Sequence, residues 1–218
     1  MAREARGTYF RWASGNDYST PDMLETCVDV LERNPAVVLC YGRTALVGND
    51  GEPLGVYPGD INVLEGSAAA RLEHIRDKLE MNNAQQGLMR TEVLHKTALD
   101  RLYPGGDLAL MGELGLYGRF QLLDRVLLYR RHAPGAVMAM RSPEEVQRIY
   151  NPQAKKPIRM LRGRFHLDHF VSVARAPLPA VEKLKAWGAS ARRVIWDRNL
   201  LLAEFRTVLF PPAPRNHA

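Results

Sequence analysis

The chain has 218 residues, 46% of them hydrophobic, and a net charge of +6; this supplies one core of ordinary domain size and excludes a wholly disordered chain. No run reaches the roughly 18 to 20 uncharged apolar residues that cross a bilayer, and the charged start MAREAR leads into no signal-peptide apolar region, so a cytoplasmic protein, soluble or peripheral at a membrane, is expected. Charge is uneven: from Lys155 onward thirteen Lys and Arg stand against four acids, a surplus that suits anionic lipid, phosphate or nucleic acid, or simply solubilises helices.

TYFRWAS (Thr8 to Ser14) is short and rich in β-formers, and reads as a buried strand ended by Gly15. After the turn GNDYST, Ser19 or Thr20 can cap a helix with Pro21 in its first turn and Leu24, Cys27, Val28 and Leu31 on one face, stopped by Asn34-Pro35. AVVLCYGRTALV (Ala36 to Val47) reads as a second strand, and Asn49-Asp50-Gly51 turns it back as a hairpin. Ala68, Leu72, Ile75 and Leu79 mark an amphipathic helix, QGLMR (Gln86 to Arg90) a short strand, and TEVLHK a helical turn. A helix starts near Asp107, with Leu110, Met111, Leu114 and Tyr117 apolar and Gly118 closing it, and the strand RFQLLDRVLLYRRH follows.

Beyond His132 the texture changes to APGAVMAMRSPEE, a short helix and the breaker-rich NPQAKKP. Val181, Leu184, Trp187, Ala191, Val194 and Leu201, interleaved with Lys183, Lys185, Arg192, Arg193 and Arg198, predict basic amphipathic helices before a frayed tail at Pro211-Pro212 and Pro214. Cys27 and Cys40 lack CxxC spacing and sit among apolar residues, which predicts buried free thiols.

Three polar clusters border the apolar strands, where an open α/β sheet places its ligands: Asn16-Asp17, Gly106-Asp107 and Tyr129-Arg130-Arg131-His132. Each has a plain structural reading, as an Asx turn, a helix N-cap and a solvated strand end. Together, a turn carboxylate, a second acid at a helix start and a basic triplet suit metal-assisted chemistry on a phosphate-bearing substrate.

In order and spacing, TYFRWASGNDYSTPDMLETCVDVLERNPAVVLCYGRTALVGNDGEPLG, GLMRTEVLHK and GGDLALMGELGLYGRFQLLDRVLLYRRHAPGAVM resemble glycosyltransferase family 2, the inverting nucleotide-sugar enzymes with a GT-A fold. The resemblance spans about residues 5 to 140. It implies an α/β protein with a partial GT-A-like mixed sheet flanked by helices (1–140, the catalytic and acceptor half), followed by a linker and basic amphipathic helical region (141–218). The family's N-terminal nucleotide-binding portion lies before the matched segments, which makes truncation part of the expectation. It further implies metal-dependent transfer of a sugar from a nucleotide-sugar donor to an acceptor hydroxyl with inversion, the acceptor being a glycan, a lipid-linked sugar or a small molecule.

By the same resemblance, Asp17 holds Mg²⁺ or Mn²⁺ on the donor diphosphate, with Asn16 standing where many relatives carry a second acid. Asp107 acts as general base on the acceptor hydroxyl. His132 contacts the metal or the diphosphate, and Arg130 and Arg131 supply positive charge to it. The basic C-terminal helices would rest on an anionic membrane surface or a partner subunit. A competing reading from another class is a non-catalytic GT-A remnant or interaction module that has lost donor binding; nucleic-acid binding is weaker, because few aromatics accompany the basic residues.

Overall fold

The computed structural model describes residues 2–64, 66–99, 101–132, 145, 149–153 and 159–210. The chain is mixed α/β, with one sheet covered by helices on both faces. In chain order the described elements are β1 (Tyr9–Phe10), β2 (Tyr18–Ser19), α1 (Met23–Arg33), β3 (Val37–Val47), β4 (Pro53–Val56), α2 (Ala68–Lys78), β5 (Leu88–Arg90), α3 (Thr91–Leu94), α4 (Gly106–Tyr117), β6 (Arg119–Arg131), α5 (Leu161–Arg175), α6 (Ala180–Trp196) and α7 (Arg198–Leu209). Among the described residues no helix is long and apolar enough to cross a membrane.

The sheet runs β1-β5-β3-β6-β2, with β4 pairing the far end of β3. Among the described residues only the β3–β6 pair is parallel, from Val37 opposite Arg119 to Val47 opposite Arg131. The central position of β3 explains its unbroken apolar start: Val37 to Tyr41 are buried because helices lie above and below. On one face α1 packs Met23, Cys27 and Leu31 against Cys40, Leu88 and Leu127. On the other, α2 and α4 bring Ile75, Leu79, Leu110, Met111 and Leu114 against Leu39, Met89 and Phe120. Gly51, at φ +88°, makes the tight return between β3 and β4 in a conformation that suits glycine.

The C-terminal helices build a third apolar cluster on α2 and α4. Val173 and Ala176 at the end of α5 and Ala186 of α6 pack with Ala68, Ala69 and Leu72 of α2 and Leu116 of α4. Trp187 donates its indole N–H to the Phe170 carbonyl at 3.1 Å, tying α6 to α5.

The strand expected over Thr8 to Ser14 is shorter and less buried than its composition suggests. Only Tyr9 and Phe10 pair, with Arg90 and Met89, because the partner strand β5 is itself three residues long. Beyond them the chain is held by side-chain bonds to Gln86. In α1 the buried face is Met23, Cys27 and Leu31, with Leu24 half exposed, and Asp22, not Ser19 or Thr20, occupies the N-cap. In α6 the buried positions are Ala186, Ala189 and Ser190, whereas Val181 and Leu184 face solvent. Both thiols are buried and free, as expected. The linker NPQAKKP lies largely, and the Pro-rich tail wholly, outside the described residues.

Candidate functional site

The turn after β1 is built around Gln86, at the end of a 3-10 turn (Asn83–Gln86) that precedes β5. Its carbonyl accepts from Arg11 Nε at 2.8 Å, its amide oxygen from Ser14 N at 3.4 Å, and its Nε2 donates to Asp17 Oδ2 at 2.7 Å. The other oxygen of Asp17 accepts the backbone N–H of Arg131 at 3.0 Å, so the carboxylate ties the turn to the end of β6. These are tertiary bonds from positions 69 and 114 residues away, a different arrangement from the local Asx turn.

Asp107 is delivered by two glycines. Gly105 takes φ +90° as the residue before α4, and a Cβ on Gly106 would come 2.1 Å from the Arg101 carbonyl oxygen. The sequence YPGGD can therefore make this close turn where larger residues could not. Asp107 lies within the first turn of α4 and is not its cap. Its Oδ2 accepts from Asn82 Nδ2 at 3.0 Å, while Oδ1 of Asn82 is shielded from solvent and has no hydrogen-bond partner. The carboxylate sits at the positive end of the helix dipole, a favourable place for negative charge.

Arg130, near the end of β6, is oriented by a polar relay. Its guanidinium donates to Asn83 Oδ1 at 2.7 Å, and Asn83 Nδ2 donates to Asp60 Oδ1 at 2.9 Å. Asp60 is buried and also accepts from Thr44 N at 2.7 Å and Thr44 Oγ1 at 3.3 Å. Beside it, burial and then the Asp60 charge push the Tyr41 hydroxyl pKa well up; that hydroxyl donates to the Ile61 carbonyl at 2.6 Å.

Asp17, Asp107 and Arg130 line one open cleft of about 480 Å³, together with Trp12, Asn82 and Gln86. The structure thus brings together one member of each of the three sequence clusters. Asn16, Arg131 and His132 do not line it. Arg131 is spent on structure, its guanidinium donating to the carbonyls of Asn16 at 3.1 Å and Asn49 at 2.5 Å. His132 is exposed at the strand end, where its backbone N–H donates to the Val47 carbonyl at 2.8 Å.

Among the described residues no three His, Cys, Asp or Glu side chains converge as a cation cage. A carboxylate carries about four lone-pair sites, so Asp17, with one hydrogen bond on each oxygen, keeps capacity for a cation shared with a bound ligand. Gln86, Asn82, Asn83 and Asp60 were missed by sequence reasoning. The available signal was MNNAQQG, a polar run directly before an apolar strand.

A second charged cluster lies further along α4. Glu113 of α4 is wholly buried; its Oε2 accepts from Ala98 N and Arg101 Nη2, both at 3.1 Å, and its Oε1 from Arg175 Nη1 at 2.6 Å. Arg101 also bonds Ser172 Oγ at 3.0 Å and pairs with Asp168 at 3.0 Å; Asp168 in turn accepts from the Tyr103 hydroxyl at 2.5 Å. This network ties Ala98, Arg101 and Tyr103, together with α5, to the helix that carries Asp107.

No family model matches the chain, and no curated protein matches it. Among solved structures it is similar to the crystal structure of S. aureus TarS 1-349, at 14% identity and a TM-score of 0.44, over 96% of this chain and 50% of that one. The chain spans half the length of that structure.

Proposed function

We propose that the cleft is the reaction site of a glycosyl-transfer enzyme of the nucleotide-sugar type. One observation carries this reading: Asp17, Asp107 and Arg130, far apart in sequence and singled out there by the resemblance to family 2, line a single cleft. In this reading Asp107 takes the proton of the acceptor hydroxyl as that oxygen attacks the anomeric carbon. Arg130, held in place by Asn83, neutralises charge growing on the diphosphate as the bond to the sugar breaks. Asp17 would hold Mg²⁺ or Mn²⁺ together with diphosphate oxygens, and the cation would supply further charge neutralisation on the leaving group.

One observation favours the other reading, a module that keeps the sheet without donor binding. Both oxygens of Asp17 are already engaged, by Gln86 and by the Arg131 backbone. Calorimetric titration of UDP-, GDP- and dTDP-sugars with Mn²⁺ separates the two. Saturable binding that Asp17→Ala and Arg130→Ala each weaken supports the enzyme. No binding at millimolar donor, with the protein folded, assigns the cleft to the binding-module reading.

A further inference from the structure

The basic C-terminal region divides into two unlike parts. On α6 the cations are largely paired: Arg192 with Glu73 at 2.6 Å, Arg193 with Asp77 at 3.1 Å and Asp197 at 3.0 Å, and Lys185 with Glu182 at 2.8 Å. On α7 they are not. Among the described residues neither Arg198 nor Arg206 forms an ion pair with a carboxylate. The one acid of that helix, Glu204, directs both oxygens at the start of α5, accepting from Arg162 N at 3.0 Å and Gly163 N at 3.1 Å.

Helix α7 also has an apolar stripe on its outer side. Leu201 and Val208 are half-buried on the same side as Glu204, but no residue of α7 is fully buried. Leu202, Phe205 and Leu209 recur at i, i+3 and i+7 and are 53%, 48% and 55% exposed. Trp196 just before the helix is 66% exposed and Phe210 just after it 77%. An amphipathic helix normally turns such a stripe inward. Here a row of leucine and aromatic side chains faces out, with Arg198 and Arg206 beside it, the composition of a helix that lies in a membrane interface.

We propose that α7 is a peripheral membrane contact that binds the surface of an anionic lipid bilayer, its Leu202, Phe205 and Leu209 entering the acyl boundary and Arg198 and Arg206 meeting lipid phosphates. Charge selects this occupant. A second copy meeting through the same stripe in a two-fold contact would bring like-charged arginines together, whereas anionic headgroups complement them. The contact is independent of glycosyl transfer in the cleft.

Co-sedimentation of the full chain with vesicles of phosphatidylcholine alone, and of phosphatidylcholine with phosphatidylglycerol, tests it. Binding is expected on the anionic vesicles at low salt and is expected to fall at high salt, because surface attraction is screened. Phe205→Ser with Leu209→Ser should weaken it about tenfold, since two part-exposed apolar side chains no longer enter the lipid. Circular dichroism and thermal melting should be unchanged, as neither residue is buried. Trp196→Phe should retain binding while losing a blue shift in tryptophan emission. Absence of binding to anionic vesicles, or equal binding by the folded double variant, overturns the proposal. A dimer in light scattering that the double variant abolishes assigns the stripe to a second copy and overturns it as well.

Discussion

Helix α4 carries two carboxylates six residues apart, and they live in opposite surroundings. Glu113 is fully buried, with two guanidiniums and a backbone N–H around it. Asp107 is half-buried at the rim of the cleft, where its side-chain partner among the described residues is the neutral amide of Asn82. A carboxylate whose lone pairs are taken by guanidiniums and a backbone N–H serves the fold. One held by a single neutral donor, beside a space large enough for a substrate, keeps lone pairs open to a ligand. The same chemical group thus takes a structural or a reactive part according to what surrounds it.

The sharpest way to break this comparison is at Glu113. Glu113→Leu removes the anion and leaves Arg101, whose side chain is 9% exposed, with Asp168 as its one remaining carboxylate among the described residues, and takes from Arg175 its ion-pair partner. Breaking a buried pair in this way costs about 3 to 5 kcal/mol, to be read from urea denaturation at pH 7.5. A loss below about 1 kcal/mol would place Glu113 among screened surface pairs and remove the contrast with Asp107.

A smaller effect is expected from the histidines of α5, on the same side of the molecule. The His169 pKa is lowered to about 3 by burial first, then by Arg76, His166 and Arg101, and its two ring nitrogens lack hydrogen-bond partners. His166 is also lowered, chiefly by burial, with Asp197 opposing. Near an unfolded value of about 6.5, the unfolded chain binds more protons than the folded one. Stability from this source is therefore full above about pH 6.5 and is lost as pH falls towards the folded pKa. Urea midpoints should decline from pH 7.5 to pH 5.5, above the ordinary carboxylate range, and His169→Leu should flatten the decline. An unchanged slope in that variant would show that His169 does not take up the proton.

Much of the sheet was legible because burial on both faces leaves a simple pattern. Ala36 to Val47 reads as a strand from its composition and forms one over Val37–Val47, and Ala68, Leu72, Ile75 and Leu79 mark a helix whose four positions are all buried. Local pattern failed where a partner decides the outcome. Phe10 and Trp12 have strand composition, yet pairing stops at Phe10, and their rings meet edge to face at 4.4 Å instead. Leu24 has the spacing of the α1 core, but the helix is rotated so that Met23 fills that place. In the cleft, Asp17, Asp107 and Arg130 were visible as polar residues next to strands, whereas Gln86 and Asn83 act through contacts 69 and 47 residues away in sequence. Glu113 did leave a trace, as the single charge within LALMGELGLY: an acid in an otherwise apolar helix requires buried cations.

The smallest effect on stability and the largest on chemistry should come from Asp107→Asn. The residue is part-exposed, and its carbonyl oxygen can still accept from Asn82 Nδ2, so unfolding free energy should change by no more than about 0.5 kcal/mol. If Asp107 takes the acceptor proton, turnover of a donor that binds the cleft should fall by about 10² to 10⁴ while donor affinity holds. Full turnover in Asp107→Asn would remove the residue from the mechanism. A stability loss above about 1 kcal/mol would instead put Asp107 with Glu113, as a carboxylate kept for the fold, and the two ends of α4 would no longer differ in kind.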